Sequence, residues 1–177
     1  MRRTMLFLPG NTPNMLINGD TLGADTVIFD LEDAVSPDEK DAARILVRNA
    51  LKYQNFSGCE VVVRINPTDT EFWKEDLDAV IPLKPDMIMP TKVSGGEMIR
   101  EVSAYMGQVE ERSGIEKGSV KILPLIETAL GVEKAFEIAS SDVRVAGLFL
   151  GGEDFTADMH CKRTKEGQEI FYARTRL

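Results

Sequence analysis

The sequence predicts an α/β fold, a (β/α)8 TIM barrel present as about its first six β/α units. Three observations predict it. Short apolar runs alternate with longer stretches of helical periodicity, which implies parallel strands joined by helical crossovers. The apolar runs start at residues 5, 26, 60, 87, 121 and 145. That is a repeat of roughly 28 residues, against the about 31 that a barrel of about 250 residues allots to each unit. Unusual polar groups follow the runs: Pro9-Gly10, Asp30-Leu31-Glu32-Asp33, Arg64-Ile65-Asn66-Pro67, Pro90-Thr91-Lys92, Glu127-Thr128 and Gly151-Gly152-Glu153-Asp154. In a barrel such loops emerge on one rim and converge, whereas an open sheet spreads them along an edge.

Taken in order, the strands are expected at residues 5–8, Thr26–Asp30, 60–65, Met87–Met89, 121–126 and 145–150. Several are apolar throughout, as befits strands covered on both faces. After the second strand, Ser36, Pro37 and Glu39 spell an S-x-x-E capping box with proline at the first helical position, which predicts a helix over residues 38–52. Ala42, Ala43, Leu46, Val47, Ala50 and Leu51 recur along it at helical spacing. Gly96–Arg112 and residues 128–140 predict two more helices, and Gly114 is suited to end the first of them. A last helix is expected to start near Gly167 and to be still running at Leu177. At this spacing the chain holds six units and not eight. The expectation is a single domain, residues 1–177, that is a barrel cut short at its C-terminal end.

The composition sets outer bounds on function. Hydrophobic residues make up 43 % and charged residues 28 %, an ordinary globular balance that excludes a disordered chain, a collagen-like repeat and a coiled coil. With 21 Lys and Arg against 29 Asp and Glu, the net charge is −8, which argues against a general nucleic-acid binder. Cys59 and Cys161 lie far apart, with the sole histidine, His160, beside the second. This is neither a disulfide framework nor a zinc spacing, and it suits a reducing compartment. The apolar run before Pro9-Gly10 is too short for a signal peptide. No stretch approaches the roughly 20 apolar residues of a membrane span. A cytoplasmic protein with no membrane or nucleic-acid partner is expected.

Several strand-end residues are suited to chemistry. Glu127 and Asp154 follow adjacent strands about 4.8 Å apart, so their carboxylates can share a divalent cation such as Mg²⁺, which takes one or two carboxylates plus waters. Alternatively, each is an acid near a helix N-terminus. Arg64 is placed to grip a ligand carboxylate with its fork, or to form a rim salt bridge to Asp30, Glu32 or Asp33. Opposite a metal, such an arginine makes a dicarboxylate or 2-oxo acid the natural ligand. Glu32 and Asp33 read as further ligands, as acceptors from metal-bound waters, or simply as residues preceding a helix. Lys92 can meet a phosphate or a thioester tail, or stand exposed in solvent. His160 reads as a loop residue, and Met87, Met89 and Met98 as core filling.

The residues Arg3-Thr4-Met5-Leu6-Phe7-Leu8-Pro9-Gly10, Phe29-Asp30-Leu31-Glu32-Asp33-Ala34-Val35, Val63-Arg64-Ile65-Asn66, Met89-Pro90-Thr91-Lys92, Pro124-Leu125-Ile126-Glu127-Thr128 and Leu150-Gly151-Gly152-Glu153-Asp154 resemble the citrate lyase β-subunit family of the HpcH/HpaI aldolase superfamily. The resemblance implies a Mg²⁺-dependent carbon–carbon lyase. Its members cleave citryl, citramalyl or malyl thioesters to an oxo acid and an acyl thioester, or run the reverse condensation. By motif, Arg64 would bind the oxo-acid carboxylate. Glu127 and Asp154 would bind Mg²⁺, with Glu127 also near the substrate as a catalytic residue. Backbone amides of Gly152 and Glu153 would help hold the oxo acid. The implied partners are an acyl-CoA or acyl-carrier-protein thioester and oxaloacetate or pyruvate. The implied assembly is a homo-oligomer, a trimer by the resemblance, within a citrate lyase complex. The alternative is a truncated homologue without turnover that binds only Mg²⁺ and an oxo acid.

Overall fold

A computed structural model describes residues 2–177. The apolar runs become parallel strands β1 (Met5–Pro9), β2 (Thr26–Asp30), β3 (Glu60–Arg64), β4 (Met87–Met89), β5 (Lys121–Ile122), β6 (Leu125–Ile126) and β7 (Phe149–Leu150). Their order is β1-β2-β3-β4-β5, with β6 paired to β7. The register aligns Phe7 with Ile28 and Ile28 with Val62.

The strand expected over residues 121–126 is divided, and proline is the reason. Leu123 N donates to Ile88 O and Leu125 N to Pro90 O on one side, and Phe149 N donates to Pro124 O on the other. Pro124 has no N–H to give, so the ladder loses a rung between β5 and β6 although the backbone runs on. The strand expected over residues 145–150 is likewise reduced to Phe149–Leu150, with Val145 keeping an isolated bridge to Ile122.

Side chains alternate across this sheet, and both faces are apolar. Ile28, Val62, Met87, Met89, Leu123 and Leu125 form one cluster with Met5, Phe7 and Phe149. Val27, Phe29, Val61, Val63, Ile88, Ile122 and Ile126 point the other way and pack under the helices. Six flat strand courses would separate the outermost two by roughly 24 Å. Instead the rings of Phe7 on β1 and Phe149 on β7 meet edge to face, 5.9 Å apart. The sheet therefore curls as a barrel wall does, with the first cluster inside. Met87 and Met89 are interior filling as expected, and Met98 packs partly against the outer core.

The helices are α1 (Pro13–Asn18), α2 (Lys40–Tyr53), α3 (Phe72–Val80), α4 (Gly96–Arg112), α5 (Ala129–Glu133), α6 (Ala135–Ala139), α7 (Gly152–Asp158) and α8 (Phe171–Arg176). The expected capping box before α2 does not form. Glu39 turns its carboxylate to Asn11 Nδ2 at 2.7 Å, and Ser36 caps no backbone N–H, so residues 37–39 make a 3₁₀ turn instead. Gly114 does end α4: at φ +67° its N–H reaches Glu111 O while Ile115 N reaches Glu110 O, the paired bonds of a Schellman motif. The helix expected over residues 128–140 breaks at Lys134 into α5 and α6. The helix expected near Gly167 starts as a 3₁₀ turn at Gln168 before α8. Among the described residues no helix is long and apolar enough to cross a membrane.

One buried ion pair ties α4 to the loop before β7. Glu110, 0 % exposed, takes Arg144 Nη1 at 2.8 Å and Nη2 at 2.6 Å in a fork. Gly118 N and Val120 N complete its acceptors. Burial pushes the Glu110 carboxyl up, but Arg144 and the two N–H groups outweigh it and hold the group below its ordinary range.

Candidate active site at the strand ends

The inward alternation continues past the strands. Two residues beyond Ile28, Val62, Leu125 and Phe149 stand Asp30, Arg64, Glu127 and Gly151. The loops that decorate the strand ends therefore meet at one mouth, as a barrel requires.

Arg64 spends one edge of its guanidinium on Asp30, with Nε at 2.7 Å from Oδ1 and Nη2 at 2.5 Å from Oδ2. Its Nη1 lies 3.2 Å from Glu32 and 3.7 Å from Asp33. The rim salt bridge is thus what Arg64 makes here, with all three acids contributing. Asp30 also accepts Glu32 N and Ala34 N, which ties the loop to the strand end. The buried Lys40 donates to Leu31 O at 2.8 Å and Glu32 O at 2.7 Å, clamping the same loop from below. Burial raises the Glu32 carboxyl, Asp33 adds to the rise, and Arg64 and Lys92 oppose it.

Glu127 is only 2 % exposed. Burial pushes its carboxyl up to about 7. The Lys92 N–H opposes this, and the Asp154 and Glu32 carboxylates reinforce it. Asp154 sits in the first turn of α7, close enough for its charge to act on Glu127. Two acids pressed together, one of them buried, form an oxygen-only donor pair whose mutual repulsion a dication relieves. Among the described residues no three or more His, Cys, Asp or Glu side chains converge to hold a metal ion. The pair therefore suits a cation such as Mg²⁺, which keeps several waters and needs only one or two carboxylates.

Sequence reasoning missed two contributors. The first is a bulge after β4. Leu125 N bonds Pro90 O, but it is Val93 N, not Lys92 N, that returns to Leu125 O. Lys92 is the extra residue, at φ +52°. Its freed N–H donates to Glu127 Oε1 at 2.7 Å, and its Nζ lies 3.3 Å from Glu32 Oε1. Bulges beside active sites re-aim groups in this way. The second contributor is Gly151. A Cβ there would lie 2.8 Å from both Cβ and Oε2 of Glu127. Its φ of −86° is open to any residue, so only the close approach demands glycine.

Gly151→Ala is accordingly expected to cost about 1–3 kcal/mol through overpacking. Because it displaces the free oxygen of Glu127, it should also weaken divalent-cation binding about tenfold or more. Calorimetric titration checks this, and unchanged affinity would show that the carboxylate moves aside freely.

Gly152 and Glu153 also lie in the first turn of α7, where backbone N–H groups lack intrahelical acceptors. The Glu153 side chain turns outward to Arg163, 2.9 Å away. His160 is an exposed turn residue, and Cys59 and Cys161 are free thiols.

A curled parallel sheet with paired carboxylates and an arginine at its strand ends defines a class of barrel-type α/β proteins whose charged groups collect on one rim. Within that class the chain belongs to the HpcH/HpaI aldolase/citrate lyase family, which matches residues 3–177. It is 44 % identical over 174 residues to the citrate lyase subunit beta of Leuconostoc mesenteroides subsp. cremoris, covering 98 % of this chain and 58 % of that protein. The chain thus spans less than two thirds of that relative's length. Among solved structures it resembles the Mycobacterium tuberculosis citrate lyase beta subunit complexed with oxaloacetate and magnesium, with a TM-score of 0.77 and 27 % identity, over 99 % of this chain and 73 % of that one. A structure of protein CitE from M. tuberculosis with magnesium, acetoacetate and coenzyme A aligns with a TM-score of 0.73 and 27 % identity, over 99 % of this chain and 60 % of that one.

Proposed function

We propose that this chain carries the cation and oxo-acid site of a Mg²⁺-dependent carbon–carbon lyase. Its substrate is a citryl-type thioester (citryl, citramalyl or malyl), cleaved to oxaloacetate or pyruvate and an acyl thioester. The observation that carries the reading is the buried Glu127 beside Asp154, with Arg64 on the same rim. The magnesium and oxaloacetate of one structural relative and the coenzyme A of another support it.

When bound, Mg²⁺ supplies Lewis acidity toward the substrate's alcohol and carbonyl oxygens. The residues supply the rest. Glu127 and Asp154 hold the cation, with Glu127 Oε1 fixed by the Lys92 N–H. Arg64, held by Asp30 through Nε and Nη2 and beside Glu32 through Nη1, would give the remaining N–H groups of its outer edge to the oxo-acid carboxylate. The α7 amides of Gly152 and Glu153 would help hold the same ligand, and Glu32 and Asp33 would accept from waters around the cation.

Calorimetry with Mg²⁺, then with pyruvate or oxaloacetate, tests the site, and lyase assays on the three thioesters test turnover. Binding with turnover supports the lyase. Binding without it leaves a module that holds cation and oxo acid, and loss of both ends the proposal. Arg64→Lys is expected to lose pyruvate affinity nearly as far as Arg64→Ala, at least tenfold, because an ammonium satisfies neither the Asp30 fork nor a ligand carboxylate bidentately. Full affinity in Arg64→Lys would reduce Arg64 to a structural ion pair.

A further inference from the structure

We propose that Lys92 is a catalytic residue whose ammonium meets the negative charge that develops on the thioester carbonyl oxygen. The inference rests on the lyase reading above, and three observations carry it.

The first is availability. Arg64 is clamped on Asp30 and its outer N–H groups are committed to the oxo-acid carboxylate, and Lys40 is buried against backbone carbonyls. The Lys92 side chain is 50 % exposed and has one acidic partner, Glu32, at 3.3 Å. That is longer than the about 2.7–2.9 Å of a tight charge-assisted bond. Glu32 keeps Arg64 and the Asp33 N–H when Lys92 swings away, so the move strands no buried charge.

The second is placement by strain. A non-glycine residue in the left-handed region costs about 1 kcal/mol or more and persists where surrounding structure enforces it. At Lys92 the enforcing contact is the bond from its N–H to Glu127. The bulge thus couples the side chain to the cation-holding carboxylate.

The third is order around the rim. Arg64 ends β3, Lys92 follows β4, and Glu127 follows β6. A ligand held by the cation pair at one end and by Arg64 at the other passes Lys92 at its middle, where the bond breaks.

In cleavage the substrate alcohol gives its proton to solvent and the C–C bond breaks. Its electron pair passes into the acyl fragment, whose carbonyl oxygen takes the charge as an enolate. A solvent proton then returns to carbon, and nothing is oxidised or reduced. A cation placed at that oxygen stabilises charge that the ground-state thioester lacks, which is the condition for accelerating the step.

The test compares two coenzyme A thioethers in the presence of Mg²⁺ and pyruvate. S-carboxymethyl-CoA carries a carboxylate one methylene beyond the position of the thioester carbonyl, and S-acetonyl-CoA carries a neutral ketone at that same place. Lys92→Met is expected to weaken the carboxylate probe about tenfold or more and the ketone by less than about threefold, since only a charge-assisted bond is lost. Lys92→Arg should recover most of the carboxylate affinity. Equal weakening of both probes, or of neither, overturns the role of Lys92 while the lyase reading stands. Wild-type chain that binds neither probe overturns both readings together.

Discussion

Glu127→Gln is expected to lower Mg²⁺ affinity by about tenfold or more and to flatten the pH dependence of stability in the metal-free chain. Burial raises the folded pKa of Glu127 from 4.5 to about 7. A raised pKa means that the folded state holds the proton more tightly. Its contribution to stability is therefore full below pH 4.5 and is lost as pH rises through 7. The shift corresponds to about 3 kcal/mol. Urea unfolding of wild type and Glu127→Gln at several pH values, taken as a difference, isolates this group from other titrations. A wild-type profile parallel to that of the variant would mean that solvent reaches the carboxylate. Saturating Mg²⁺ should restore the lost stability in wild type at neutral pH, because a bound cation replaces the proton.

Arg144→Met is expected to destabilise the fold by about 3–5 kcal/mol, because it leaves the Glu110 charge buried without its counterion. For a chain of this size that lowers the melting midpoint by roughly 10 °C. Adding Glu110→Gln to the variant should return much of the loss, since it removes the buried charge and its amide oxygen still accepts from Gly118 N. Thermal and urea unfolding read both. A loss under about 1 kcal/mol in Arg144→Met would show water filling the space. The pair meets the sheet where Ile122 N bonds Arg144 O, in β5, five residues before Glu127 at the mouth.

What the sequence showed depended on whether a signal was local. The β2 and β4 strands match their expected limits because unbroken apolar runs have one use in a sheet covered on both faces. Gly114 was legible because a helix C-terminus asks for a left-handed residue next to it. The capping box failed because Asn11, 28 residues away, takes the Glu39 carboxylate. The division at Pro124 was readable in principle, since a proline within a strand always removes a donor. At the mouth, the residue types were legible and their partners were not. Asp30 and Arg64 are direct register partners on neighbouring strands, so their pairing follows from a register that the sequence does not print. The Lys92 bulge and the empty side of Gly151 depend on the distance between two backbones. No composition or spacing encodes that distance.

The inward alternation of the strands has a consequence for how such a protein changes over generations. The residues that meet a ligand occupy one tier, each contributed by a separate strand end, while the tier beneath supplies packing. A single substitution in the upper tier rewrites one contact and leaves the hydrophobic wall unaltered. Loss of one codon within β3 is a different event. It would turn Arg64 toward the helices and bring Ile65 into the mouth, inverting every other position of that strand. The site is tolerant of editing letter by letter and intolerant of frame-preserving deletion inside its strands. New specificities on this scaffold are therefore reached by substitution at the strand ends and by lengthening the loops beyond them.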